Sequence, residues 1–177
     1  MRRSEYLSFR RKFEPASIKL VIVAESPPAS GKYFYNPIGP INEPLFSALM
    51  EQLEYMPTSK ENGLVEFQKR GWILIDATYE PVNRLSEKEA DKIIVRDYPL
   101  LRDDLANLLS DRSVPVALLK ANVCRLLDPL LTQDGFNVLN KGRAVYFPGT
   151  GRQRDFKRQF CAILKLANLE LVTSSSS

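Results

Sequence analysis

The chain has 177 residues, 44% of them hydrophobic and 26% charged, which fits one soluble globular domain that can bury its own core. It contains no histidine, so a Ser-His-Asp triad, a Cys-His pair and any imidazole-ligated metal site are excluded. Its 25 Lys and Arg against 21 Asp and Glu leave +4, a mildly basic balance that permits nucleic-acid binding without requiring it.

Residues 3–13 read as a short helix, with Tyr6, Phe9 and Phe13 near one face. The run Ile18 to Ala24 is almost wholly apolar, as suits a strand buried on both faces of a parallel sheet. The Pro/Ser/Gly-rich loop 25–40 ends it. Leu45 to Leu53 and Leu64 to Arg70 read as helices, and Trp72 to Thr78 as a second strand. The capping box Ser86-Glu87-Lys88-Glu89 opens a long helix over 86–109, in which Pro99 should cause a break or kink. Val114 to Leu119 follows as a third strand and Ala121 to Leu131 as a helix, with Gly135 just past its end. Arg143 to Phe147 is the expected fourth strand, with Val138-Leu139 leading toward it. A last helix runs from about Arg154 to Asn168, before a solvated Ser-rich tail over 173–177. Cys124 and Cys161 sit among apolar residues and read as buried free thiols.

Strands alternating with helices predict an α/β fold whose parallel sheet is covered on both faces. Ligands in such folds bind beyond the carboxyl ends of the strands. That places loops 25–40, 76–84 and 148–153 at the working edge. The first holds Glu25, Ser26 and Asn36 beside Tyr33, Phe34 and Tyr35, so a carboxylate able to hold a water adjoins a flat stacking surface. The second opens on Asp76, a polar residue at a strand end that is costly unless satisfied. The third, PGTGRQ, lets backbone N–H groups approach an anion. Residues 141–158 carry six cations against the single acid Asp155, and Arg154, Lys157 and Arg158 on one helix side suit a phosphate backbone. A solvated charged face is the plainer reading of the same run. Arg2, Arg3, Arg10, Arg11 and Lys12 form a second basic group in segment 1–17.

Together these loops resemble the uracil-DNA glycosylase superfamily over about residues 18–167. VIVAESPPASGKYFYN is similar to the superfamily's first motif, GWILIDATYEPVNR to its strand ending in a base-reading Asn, and VYFPGTGRQRDFKRQF to its His-Pro-Ser strand and the basic loop behind it. The resemblance implies a three-layer α/β/α sandwich around a four-stranded parallel sheet. It implies a DNA base flipped into a pocket at the strand ends and cut from its sugar. Phe34 would stack on that base, Asp76 would meet its Watson–Crick edge, and Asn36 would contact it. Glu25 or Ser26 would position or activate the attacking water. Gly149, Gly151, Arg152, Arg154 and Lys157 would contact DNA. The sequence departs from the family at Phe147-Pro148-Gly149, where the His-Pro-Ser motif would stand. The Thr150 hydroxyl or the backbone N–H groups of residues 149–151 would have to replace the missing His. An ionised Asp76 would only accept hydrogen bonds, so it suits a donor-rich base edge unless burial raises its pKa. The expected protein is a monofunctional, monomeric, cytoplasmic DNA glycosylase with no cofactor, metal or membrane contact. The alternatives are a silent nucleic-acid-binding module on the same fold and a hydrolase of free nucleosides or nucleotides.

Overall fold

The computed structural model describes residues 1–167. Asn168 and the tail over 173–177 lie outside them. The elements in chain order are α1 (Arg3–Arg11), β1 (Leu20–Ala24), α2 (Pro44–Gln52), α3 (Lys60–Lys69), β2 (Trp72–Asp76), α4 (Glu87–Leu108), β3 (Pro115–Leu118), α5 (Ala121–Gln133), β4 (Asn137–Val138) and α6 (Gln153–Leu166). The four strands form one parallel sheet in the order β2-β1-β3-β4.

Every residue of β1 and β2 is buried, as the nearly continuous apolar runs require of central strands. Alternation then divides the core into two layers. Leu20, Ile22, Trp72 and Leu74 face one side, against α1, α2, α3 and α6. Val21, Val23, Ile73 and Ile75 face the other, against α4 and α5. The result is the three-layer α/β/α arrangement.

Several expectations are corrected. The fourth strand is Asn137–Val138, paired with β3 through Pro115↔Asn137 and Val116↔Val138, and residues 143–147 form no strand. Gly135, at φ +82°, turns the chain straight back beside β3 after α5. Asn140 then occupies the next ladder position with its side chain. Its Oδ1 accepts from the Leu118 N–H at 2.7 Å, and its Nδ2 donates to the Leu118 carbonyl at 3.0 Å. The stretch Arg143 to Phe147 runs past this amide plug, and its Val145 carbonyl accepts from the Lys120 N–H at 2.7 Å. Cys161 is only half-buried, with Sγ 2.9 Å from the Gln52 side-chain oxygen, whereas Cys124 is buried, which pushes its thiol up to about 11.

Helix α4 passes Pro99 without ending. Its cap is the expected one: the Ser86 hydroxyl accepts from the Glu89 N–H, and the Glu89 carboxylate accepts from the Ser86 N–H. Helix α3 starts four residues before the expected Leu64, because Ser59 caps it by accepting from the Asn62 N–H at 3.1 Å. Arg10 belongs to the interior rather than to the basic surface. Its guanidinium donates to both oxygens of Asp104, at 2.6 and 2.9 Å, and to the Tyr79 hydroxyl at 3.1 Å.

Helices α2 and α3 meet at Gly63, where a Cβ would lie 2.5 Å from Phe46 Cζ and 2.9 Å from Met50 Sδ. Gly63→Ala is expected to destabilise by about 1–3 kcal/mol despite the better helix propensity of alanine. Urea unfolding checks this, and an unchanged or raised midpoint would mean that the contact gives way freely. Among the described residues, no helix is long and apolar enough to cross a membrane.

Candidate functional site

The strand order reverses direction between β1 and β3, and the crevice at such a switch point is the expected ligand site of an open parallel sheet. A cavity of about 370 Å³ opens there. Its floor is the strand ends, with Ala24 and Glu25 after β1, Leu74 and Asp76 of β2, and Lys120 after β3. Its walls are Tyr33 and Phe34 of the first loop and Glu43 to Phe46 at the start of α2. Phe147 stands at its edge, 40% exposed. The volume is in the range of small-molecule sites.

Asp76 continues the alternation of Trp72 and Leu74, so it follows them to the α1/α2/α3 face. It is 4% exposed, and its Oδ2 has no hydrogen-bond partner. Burial pushes its pKa up to about 8, with the Arg10 charge pulling the other way. The side chain is therefore mostly a neutral acid at pH 7, able to donate and to accept. The Tyr33 hydroxyl is also buried without a partner. Burial, and then the Asp76 charge, hold this phenol above its ordinary pKa, so it stays a donor.

Glu43 is the N-cap residue of α2 and pairs with the wholly buried Lys60 at the start of α3. Lys60 also donates to the Tyr33 carbonyl at 3.0 Å and lies 5.5 Å over the Phe46 ring. Burial pulls its pKa down, against the opposing pull of Glu43. The second Glu43 oxygen, Oε1, is buried and unpartnered. Only four buried side-chain polar atoms lack a partner among the described residues, and three of them belong to residues of this one cavity. Native proteins leave few such atoms unpaired, and clustering in a hollow is what a ligand's complementary groups would explain.

The crevice itself is bridged by charge. Glu25 accepts from the Lys120 ammonium at 2.5 Å and from Asn122 Nδ2 at 2.9 Å. Asn122 reaches on to Asp91 at 3.3 Å, and Arg125 holds Asp91 at 2.6 Å. Lys120 sits at φ +79° and ψ 136°, a region suited to glycine that costs another residue about 1–3 kcal/mol. Its backbone is fixed from both sides, its N–H by the Val145 carbonyl and its carbonyl by the Cys124 N–H at 3.0 Å. The Ser26 hydroxyl accepts from the Val82 N–H at 3.2 Å, and Asn83 Oδ1 from the Ala29 N–H at 3.0 Å, tying the first working loop to the second.

Glu25, Ser26, Phe34 and Asp76 thus line one cavity, though Glu25 and Asp76 lie 51 positions apart in the chain. Phe34 packs against Tyr35, Phe46 and Phe67 at ring distances of 5.0, 5.8 and 5.3 Å, which fixes its plane. Asn36 does not line the cavity; its side chain accepts from the Ile38 N–H at 3.2 Å in a turn. Gly149, Thr150, Gly151, Arg152, Arg154 and Lys157 do not line it either. Arg152 pairs with Asp155 at 3.1 Å and lies over Tyr146, and Lys157 pairs with Glu51 at 2.6 Å. These pairs are exposed and cheap to exchange for another anion.

Sequence reasoning missed Lys120, Asn122, Glu43 and Lys60. The two-residue junction between β3 and α5 was the available signal for the first two, since nothing that short can lead away from the strand ends. A second hollow of about 310 Å³ shares Asp76 and runs along α4, where Arg96 already pairs with Glu80 and Asp97, both at 2.8 Å. No group of three or more His, Cys, Asp or Glu among the described residues is arranged to hold a metal. No protein-family model matches the chain, and no curated protein matches it.

Proposed function

We propose that this protein is a DNA glycosylase that takes one altered base, uracil or a close relative, into the strand-end cavity and hydrolyses its N-glycosidic bond. The observation that carries this reading is the set of three unpartnered polar groups, on Tyr33, Glu43 and Asp76, around one aromatic-walled cavity. Uracil presents alternating acceptors and a donor along its edge. A neutral Asp76 can donate to a ring carbonyl and accept from the ring N–H, as an amide would. The Tyr33 hydroxyl supplies a further donor for the second ring carbonyl, Glu43 is the alternative acceptor for the single ring N–H when Asp76 only donates, and Phe34 offers the ring wall. Glu25 acts on the water: the water oxygen bonds to C1′, its proton passes to Glu25, and the bond from C1′ to the base breaks with its electron pair leaving on the base. Bringing the base out of the stack costs a few kcal/mol. The cationic face of residues 141–158, with Arg152, Arg154 and Lys157, would repay this through the phosphates. The resemblance to the uracil-DNA glycosylase superfamily supports the roles of Glu25, Phe34, Asp76 and the basic face.

A silent binding module is the second reading, favoured by the existing pairing of Glu25 with Lys120 and Asn122. Incubation with oligonucleotides carrying uracil, hypoxanthine, xanthine or mispaired thymine, followed by alkali cleavage, separates the two. Strand scission at one of these bases is the expected result. Tight binding with no scission at any of them would establish the module instead.

A further inference from the structure

Breaking an N-glycosidic bond leaves an electron pair on the departing base, and a fixed positive group aimed at that charge lowers the barrier. The groups that sequence offered for this, Thr150 and the backbone of Gly149 and Gly151, do not line the cavity. Two cations do, Lys32 and Lys120. Lys32 sits exposed on the entry loop, whereas the Lys120 side chain, though 40% exposed, is held by its anchored main chain at the switch point and by its pair with Glu25. We infer that the Lys120 ammonium receives the negative charge of the departing base. The inference rests on the glycosylase reading.

Two observations support it. Lys120 holds a backbone conformation that favours glycine, at φ +79°, yet carries a long cationic side chain into the cavity wall. A chain that needed only a turn here would be better served by glycine. The second observation is the 2.5 Å pair with Glu25. When Glu25 takes the proton of the attacking water, its carboxylate becomes neutral and ceases to balance Lys120. The ammonium is then left without a counter-ion while an anion forms beside it in the same cavity. Charge is conserved throughout: the negative charge lost at Glu25 reappears on the base, and Lys120 passes from one to the other.

Single-turnover excision of uracil and of 5-fluorouracil from otherwise identical oligonucleotides tests this. The ring fluorine stabilises the base anion, so 5-fluorouracil needs less help in leaving. Lys120→Gly, which suits the backbone, is expected to slow uracil release by about 10²–10³-fold. Its effect on 5-fluorouracil release should be smaller by about tenfold or more. Lys120→Arg should restore part of the uracil rate. The comparison of two bases on one preparation is independent of how much of a variant folds. Equal losses on both bases would overturn the inference, because Lys120 would then act only by placing Glu25. No loss on either base would overturn it too. If the unmodified protein released neither of these bases, nor hypoxanthine, xanthine or mispaired thymine, the glycosylase reading would be refuted and the inference removed with it; release of only one of the latter bases would overturn the inference for uracil alone.

Discussion

Asp76→Asn is expected to remove a pH dependence from both stability and base release. Asp76 titrates at about 8 in the folded protein, raised by burial from an ordinary carboxyl value of 3.8. Between those values the folded state holds a proton that the unfolded state has released. The stabilisation is therefore complete below about pH 4 and is lost as pH rises through about 8, for a total on the order of 5 kcal/mol. Asparagine is never charged, so the variant lacks this slope and should overtake the unmodified protein in stability as pH rises. Arg10 and the phenols of Tyr6, Tyr33, Tyr35 and Tyr79 surround the group. None of the phenols titrates within the window, since all are held above their ordinary value of 10.0. Urea unfolding of both proteins from about pH 5 to pH 9 measures the difference. Uracil release should fall above about pH 8 in the unmodified protein and not in the variant, because only the neutral acid donates to a carbonyl. Parallel stability curves would mean that Asp76 is already ionised at neutral pH.

Glu25→Gln carries the second large effect, on rate. A positioned proton acceptor contributes about 10²–10⁴-fold, and glutamine can hold a water but cannot take its proton. The variant should lose excision within that range while binding a uracil oligonucleotide within a few-fold of the unmodified protein. The Asn122 contact can survive, since the Gln amide oxygen still accepts from Nδ2. The Lys120 pair becomes an ion–dipole contact, so comparison with Lys120→Gly separates the two roles. A rate within about threefold of the unmodified protein would remove Glu25 from the chemistry.

The central strands and the helices that follow them were legible because their signals are local. Unbroken runs such as LVIVA and WILID admit little except a strand buried on both faces. Residues 143–147 misled because Arg-Ala-Val-Tyr-Phe has strand propensity, while the position it would fill depends on a neighbour. Asn140 had already taken the Leu118 backbone groups with its side-chain amide. The site divides in the same way. Glu25 directly follows β1 and Asp76 is the last residue of β2, so sheet topology alone brings them to one edge. Glu43 and Lys60 become a pair only through the packing of α2 against α3, and no spacing in the chain announces that. Arg10 counted toward a basic surface in the sequence, but Asp104, 94 residues away, draws it inside. The protonation of Asp76 also lies beyond composition, because its cause is the surrounding aromatic burial.

The most direct test is base release in water enriched in oxygen-18. If a base enters this cavity and water attacks its sugar, the expected product is the free unlabelled base together with an abasic strand that carries the label at C1′. Mass spectrometry of both products, with the abasic aldehyde reduced at once to prevent exchange, reads this. Label in the base, or an intact strand after long incubation at high protein concentration, would contradict it.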